Sequence, residues 1–242
     1  MSGRFYYLLS FLPSLPNLGG DPALSLDDVA KLLKGQSEEA LQRLARVVEV
    51  ERDIRQTIES RCLGSEPAIV ELPEALVAAF PSFEEGKVSI SEDVWVSKVW
   101  IEFYAWLHNE AKNVGSNLLK VWADLELGVV CQLCRARYET ADEAIPEGHP
   151  LQFVGVECIR IDEHLRSEVH DLVRKWEVAA DPIKGELLLD TARWRWIVDR
   201  EKTYSFEIDE LVAYVLKLRL LSRHLSWSRD EGMKILGEVT AL

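Results

Sequence analysis

The 242-residue sequence predicts an all-α fold, a multi-helix bundle, on three observations. Apolar residues recur at three- and four-residue spacing along most of the chain. Capping patterns and Gly or Pro stops punctuate these stretches, and the period-2 alternation of strands is nearly absent.

Taken in order, the opening FYYLLSFLPSLPNLGG (5–20) is an aromatic-rich apolar run broken by Pro13 and Pro16. Arg4 is its only early charge, and neither a secretory signal nor a span of ~18 uninterrupted apolar residues is formed. Its aromatics are expected to bury against later helices as a first helix or extended anchor, with the prolines turning the chain towards Leu26. SLDDVAKLLKG carries a capping pattern, Ser25 with Asp28, and a stop at Gly35. In SEEALQRLARVVEVERDIRQTIESRCLG, Leu41, Leu44, Val48, Ile54 and Ile58 keep helical spacing, and Gly64 is the stop. LPEALVAAF reads as a short helix between Pro73 and Pro81. SEDVWVSKVWIEFYAWLHNE carries Trp95, Val99 and Trp106 on one face and Trp100, Tyr104 and Leu107 on another, the mark of a helix buried among others.

SNLLKVWADLELGVVCQLCRARYET continues with Leu118, Trp122, Leu125, Val129 and Leu133 near a 3.6-residue period. Residues 140–157 hold two Pro and two Gly and predict a loop or internal joint within a single domain spanning 1–242. VGVECIRI (154–161) is the one short strand candidate. Then come HLRSEVHDLVRKWEVAA and a helix started by Asp181 and Pro182. SFEIDELVAYVLKLRLLSRHLSW places Ile208, Leu211, Val215 and Leu218 on one face, and a separate final helix is expected from the capping box Ser228–Glu231.

Composition narrows the class. A 48% hydrophobic fraction and eight Trp indicate a packed globule. The net charge of −13 disfavours nucleic acid and anionic membrane surfaces as partners. Four Cys (62, 131, 134 and 158) are no disulfide scaffold in a chain of this length, which points to a reducing, cytoplasmic compartment.

Chemistry-bearing motifs are few. Cys131 and Cys134 form a C-x-x-C, but no second Cys or His pair at zinc spacing accompanies them; His149, His164 and His170 are scattered. They fall late in a helix on adjacent turns, where buried small hydrophobes are the simpler reading than a redox pair at a helix start. Neither a P-loop nor a nucleophile elbow is present, and the plentiful carboxylates read as helix surface. TARWRWIVDREK sets Arg193, Trp194, Arg195, Trp196 and Arg200 together, a basic-aromatic stretch in an acidic chain. Two readings stand: an anchor for a protein partner, or arginine stems covering core-facing Trp and pairing with nearby acids. No catalytic, cofactor or metal residue is assigned, and a non-enzymatic role is expected.

Two stretches carry a resemblance. FYYLLSFLPSL followed by SLDDVAKLL, and the late SFEIDELVAYVLKLRLLSRHLSWSRDEGMKIL, resemble a family of uncharacterised bacterial proteins encoded among V-type ATPase genes. The similarity is clearest over residues 4–33 and 190–238. That family is similar to the C (or d) subunit of V/A-type rotary ATPases, all-helical and opening with a Tyr-rich helix. The resemblance implies a non-catalytic part of the central stalk. There a helical funnel, here of two lobes, sits on the membrane rotor ring and receives the rotating shaft. It implies those subunits as partners, a cytoplasmic site peripheral to the membrane, no cofactor and no membrane insertion. The alternative is a helical adaptor or ATPase assembly factor that binds a soluble protein partner.

Overall fold

The computed structural model describes residues 4–62, 72–77, 92–141, 144–145, 151, 163–179 and 182–240. Among these residues the structure is all-helical, with no strand. The helices are α1 (Tyr6–Phe11), α2 (Leu26–Lys34), α3 (Glu39–Cys62), α4 (Glu74–Val77), α5 (Glu92–Val114), α6 (Asn117–Thr140), α7 (Glu163–Glu177), α8 (Pro182–Arg200) and α9 (Ile208–Thr240). The strand candidate 154–161, Gly64, Pro81 and Asp181 lie outside the described residues, as does most of the joint at 140–157.

Local chemistry explains the element ends. At α2 the predicted capping box is complete: Asp28 N–H donates to Ser25 Oγ at 3.1 Å, and Ser25 N–H donates to the Asp28 carboxylate at 3.2 Å. The α5–α6 turn is a Schellman closure. Ser116 N–H donates to Ala111 O and Gly115 N–H to Lys112 O, with Gly115 at φ 77°, a backbone region open to glycine. Ser116 then caps α6, and Asp209 from the first turn of α9 accepts from both Ser116 Oγ and Leu118 N–H. One carboxylate thereby ties the starts of two helices.

One sequence expectation fails here. No break separates Trp227 from Ser228; α9 runs through as one helix of 33 residues, ~50 Å long. Ser228 and Glu231 meet the capping pattern, yet no Pro precedes them to interrupt the hydrogen-bond ladder, and both residue types are tolerated inside a helix.

Packing joins α2 to α3, α3 to α5, and α5 to α6, which is in turn covered by α7 and α9; α8 lies between α7 and α9, and α9 returns to α2. One apolar core results, running from Phe5 to Leu220, with Trp122, Phe103, Leu211 and Leu218 fully enclosed. Each such side chain contributes about 1.5–3 kcal/mol through burial. Both faces of α5 are used as its pattern predicts: Trp95, Val99, Tyr104 and Leu107 are buried and Trp100 and Trp106 pack at the margin. No helix among the described residues is long and apolar enough to cross a membrane.

The N-terminal segment corrects a second expectation. Phe5 and Leu12 are buried, and Leu8 and Leu9 pack on the core, but Tyr7 is 87% and Phe11 73% exposed. A six-residue helix with Pro13 close behind presents one narrow apolar edge, so its remaining aromatics face outward. The segment is nonetheless fastened. Phe5 N–H donates to Phe206 O at 3.0 Å, and the Tyr214 hydroxyl donates to Pro13 O at 3.0 Å. Its receptor is the α8–α9 turn, where Tyr204 and Phe206 hold positive φ of 63° and 54°. Each such residue costs about 1–3 kcal/mol. Glu210 offsets this by accepting from the N–H groups of both, at 2.8 and 2.6 Å.

Candidate functional site

The middle of the bundle holds a connected set of charges. On α8, Asp190 and Arg193 are three residues apart and both are buried. Arg193 grips Glu126 of α6 with a two-pronged contact, Nε to Oε1 at 2.6 Å and Nη2 to Oε2 at 2.9 Å. Its third nitrogen donates to Asp190 at 3.0 Å. The planar fork of a guanidinium suits this job, since it satisfies two carboxylates at fixed angles.

From Glu126 the set extends in two directions. The Tyr104 hydroxyl of α5 donates to Glu126 Oε2 at 3.3 Å and accepts from Arg219 of α9 at 3.3 Å. Arg219 Nε in turn lies 2.6 Å from Glu51 of α3, off the line of a hydrogen bond but well within ion-pair range. Arg55, one turn along α3, shares that same Glu51 oxygen at 2.8 Å. At the other end, Arg223 of α9 meets Asp190 at 3.5 Å and pairs with Glu186 of α8. Four carboxylates and four guanidiniums thus link α3, α6, α8 and α9, with Tyr104 adding α5. Aromatic rings enclose them: Arg219 lies over Trp122 at 5.7 Å, Arg55 over Trp100 at 5.0 Å, and Trp122 packs on Trp196 at 5.6 Å.

Electrostatics follow from this geometry. Burial would push the Glu126 carboxyl up, but Arg193 and Arg219 outweigh it and hold the group below the ordinary carboxylate range. Glu51 behaves likewise, burial opposing and Arg219 and Arg55 prevailing. Burial, reinforced by Glu126, pushes the Tyr104 phenol up to about 12. Glu51 and Glu126 are therefore ionised at neutral pH, and the network they anchor is a fastening. None of its members is placed as a nucleophile beside a base.

The five residues of the basic-aromatic stretch do not form one surface. Arg193 and Trp196 are buried, Trp194 is half-buried, and only Arg195 and Arg200 are exposed. Arg200 lies over the Trp196 ring at 4.3 Å and pairs with Glu168 at 3.5 Å, as a stem covering a core Trp does. Arg195 and Arg200 edge a shallow cleft between α7 and α8. Cys131 and Cys134 are buried on α6, with Cys134 Sγ 3.2 Å from Ser97 Oγ. His170 is exposed, and the side chains of His149 and His164 lie outside the described residues. No group of three His, Cys, Asp or Glu able to hold a metal occurs among the described residues.

Sequence reasoning missed Glu126, Asp190 and Arg219. For Glu126 the signal was nonetheless present, because it interrupts an apolar face, as Arg193 does. Glu126 stands one turn past Trp122 and one before Val129 in the α6 stripe, and Arg193 lies between Leu189 and Ile197. A charge at a core-facing position requires a partner of opposite sign.

Comparison with protein-family models, curated proteins and solved structures finds no match to this chain.

Proposed function

We propose that the chain is a non-catalytic helical subunit of a V/A-type rotary ATPase, similar to the C (d) subunit that couples the central shaft to the membrane rotor ring. The single observation that carries this reading is how the two resembling stretches meet. Residues 4–33 and 190–238 are far apart in sequence, yet α1 and α2 lie against α9 and the α8–α9 turn, joined by the Phe5–Phe206 and Tyr214–Pro13 hydrogen bonds. They form one unit, which is what a shared structural ancestry would preserve. Two further features favour the role. A torque-bearing part needs helices that do not slide, and the buried charge network fixes α3, α5, α6, α8 and α9 in register. Contact with other subunits needs exposed apolar surface, which Tyr7, Phe11 and Tyr204 supply.

Native mass spectrometry of the V-type ATPase, purified from the source cells in mild detergent, tests the proposal. One copy of this 27.6 kDa chain retained with the rotor ring and shaft is the expected result. An intact enzyme lacking the chain overturns the socket role and leaves the adaptor or assembly-factor reading in its place.

A further inference from the structure

Aromatic rings stand in solvent where α1 meets the α8–α9 turn. Tyr7 and Phe11 lie one turn apart on α1. The Tyr6 ring links this helix to the turn, meeting Tyr7 at 5.5 Å and Phe206 at 4.8 Å, edge to face in both cases. Tyr204 stands on the same turn, two residues before Phe206. Tyr6 is 46% exposed, Tyr7 87%, Phe11 73% and Tyr204 83%, which leaves roughly 400–700 Å² of aromatic surface open to water. The largest apolar patch on a typical monomer measures about 300–600 Å² and is often a contact site.

The backbone at Tyr204 adds a second observation. Its φ of 63° is cheap for Gly or Asn and costly for an aromatic residue. Glu210 fastens the turn through the Tyr204 N–H, a bond that any residue except Pro would supply. At this exposure the ring packs little within the chain, so neither the turn nor the core calls for a Tyr here. Strain kept at an exposed aromatic points to a use outside the chain.

We propose that a second copy of this chain covers the patch, in a two-fold dimer of the free protein. Area is the first argument. The same rings meeting across a two-fold axis bury roughly 800–1,400 Å² in total, which reaches the ~1,200 Å² at which specific interfaces begin. Charge is the second. The exposed rim carries Arg4 and Lys202 together with Glu207, so the axis can set the cations of each copy against the carboxylate of the other. The chain as a whole carries −13 and its copies repel, which makes a surface where cations outnumber carboxylates the place for them to meet. The copy occupies, in the free protein, the surface that a neighbouring subunit would take in an assembly. Dimerisation does not depend on the stalk role, and either can fail without the other.

Sedimentation velocity of the isolated full chain, from about 1 to 200 µM, reads the association. A monomer–dimer equilibrium with a Kd on the order of 10 µM is expected for an interface of this modest size. Tyr204→Asn removes the ring, keeps the N–H and suits the positive φ. It is expected to weaken the dimer about tenfold or more, with a Tm at or above the parent's. Tyr7→Ser, on the α1 side of the patch, is expected to weaken it by a similar factor. A chain that stays monomeric throughout, or a dimer that either variant leaves unchanged, overturns the proposal. The first outcome leaves the patch to a different protein, and the second places the dimer contact on another face.

Discussion

Replacing Arg193 by Met tests whether the buried charges hold the bundle together. The substitution keeps an unbranched apolar stem in place but leaves Glu126 and Asp190, both fully enclosed, without the guanidinium that bonds each of them. Removing one partner of a buried pair costs about 3–5 kcal/mol, since the remaining charge keeps its desolvation penalty and loses its compensation. Arg219 and Tyr104 still reach Glu126, and Arg223 still reaches Asp190. These set the loss at the lower end, ~3 kcal/mol, or about 6–12 °C in Tm for a chain of this size. Urea unfolding followed by tryptophan fluorescence is the assay, because Trp122 and Trp196 pack beside the network. Adding Glu126→Leu removes the orphaned carboxylate, so the double variant is expected to be more stable than the sum of the single losses predicts, by about 2 kcal/mol. Arg193→Met within about 1 kcal/mol of the parent, or strictly additive losses, would refute the fastening role.

Three other outcomes are expected. Stability contributed by Glu51 and Glu126, whose pKa values are lowered, is complete above the ordinary glutamate value of about 4.3 and disappears as pH falls through the lowered values. Tyr104, raised to about 12, contributes stability that is complete below about 10 and lost as pH climbs to its folded value. A Tm profile against pH shows both limbs, and Tyr104→Phe flattens the alkaline one. Gly185→Ala improves helix propensity by about 1 kcal/mol, yet its new methyl would sit 2.8 Å from the Trp176 ring. The clash prevails, with a net loss of about 1–2 kcal/mol; an unchanged or higher Tm contradicts this. Deleting residues 1–16 removes buried Phe5 and Leu12 and both hydrogen bonds to α9 and its turn, and unfolds or aggregates the protein. A soluble truncated form with the parent's Tm argues the reverse.

Helices were legible in the sequence wherever their signal was local. The Ser25–Asp28 box, the Gly35 stop and the apolar stripe of α6 each depend on residues within a turn or two. Where the deciding partner was remote, the reading failed. Nothing near Ser228 shows that α9 continues through it, and nothing in FYYLLSF says that only one edge of α1 finds a groove. Arg193 looked like surface because arginines usually are. Its burial is decided by Glu126, 67 residues earlier. Local patterns thus gave the fold class and most boundaries, while the charge network required the assembled bundle.

The Tyr214–Pro13 hydrogen bond spans 201 residues, and its consequence falls on biosynthesis. During synthesis the aromatic stretch has no docking site until the start of α9 follows it. At about 5–20 residues per second that wait lasts roughly 10–40 s. Through that interval Phe5, Leu8, Leu9 and Leu12 are uncovered on a nascent chain, an apolar stretch suited to a chaperone and hazardous without one. The loop it closes contains α2 to α8, all of which are made before Tyr214. This contact can therefore form only late, once residues 201 positions apart have both been made.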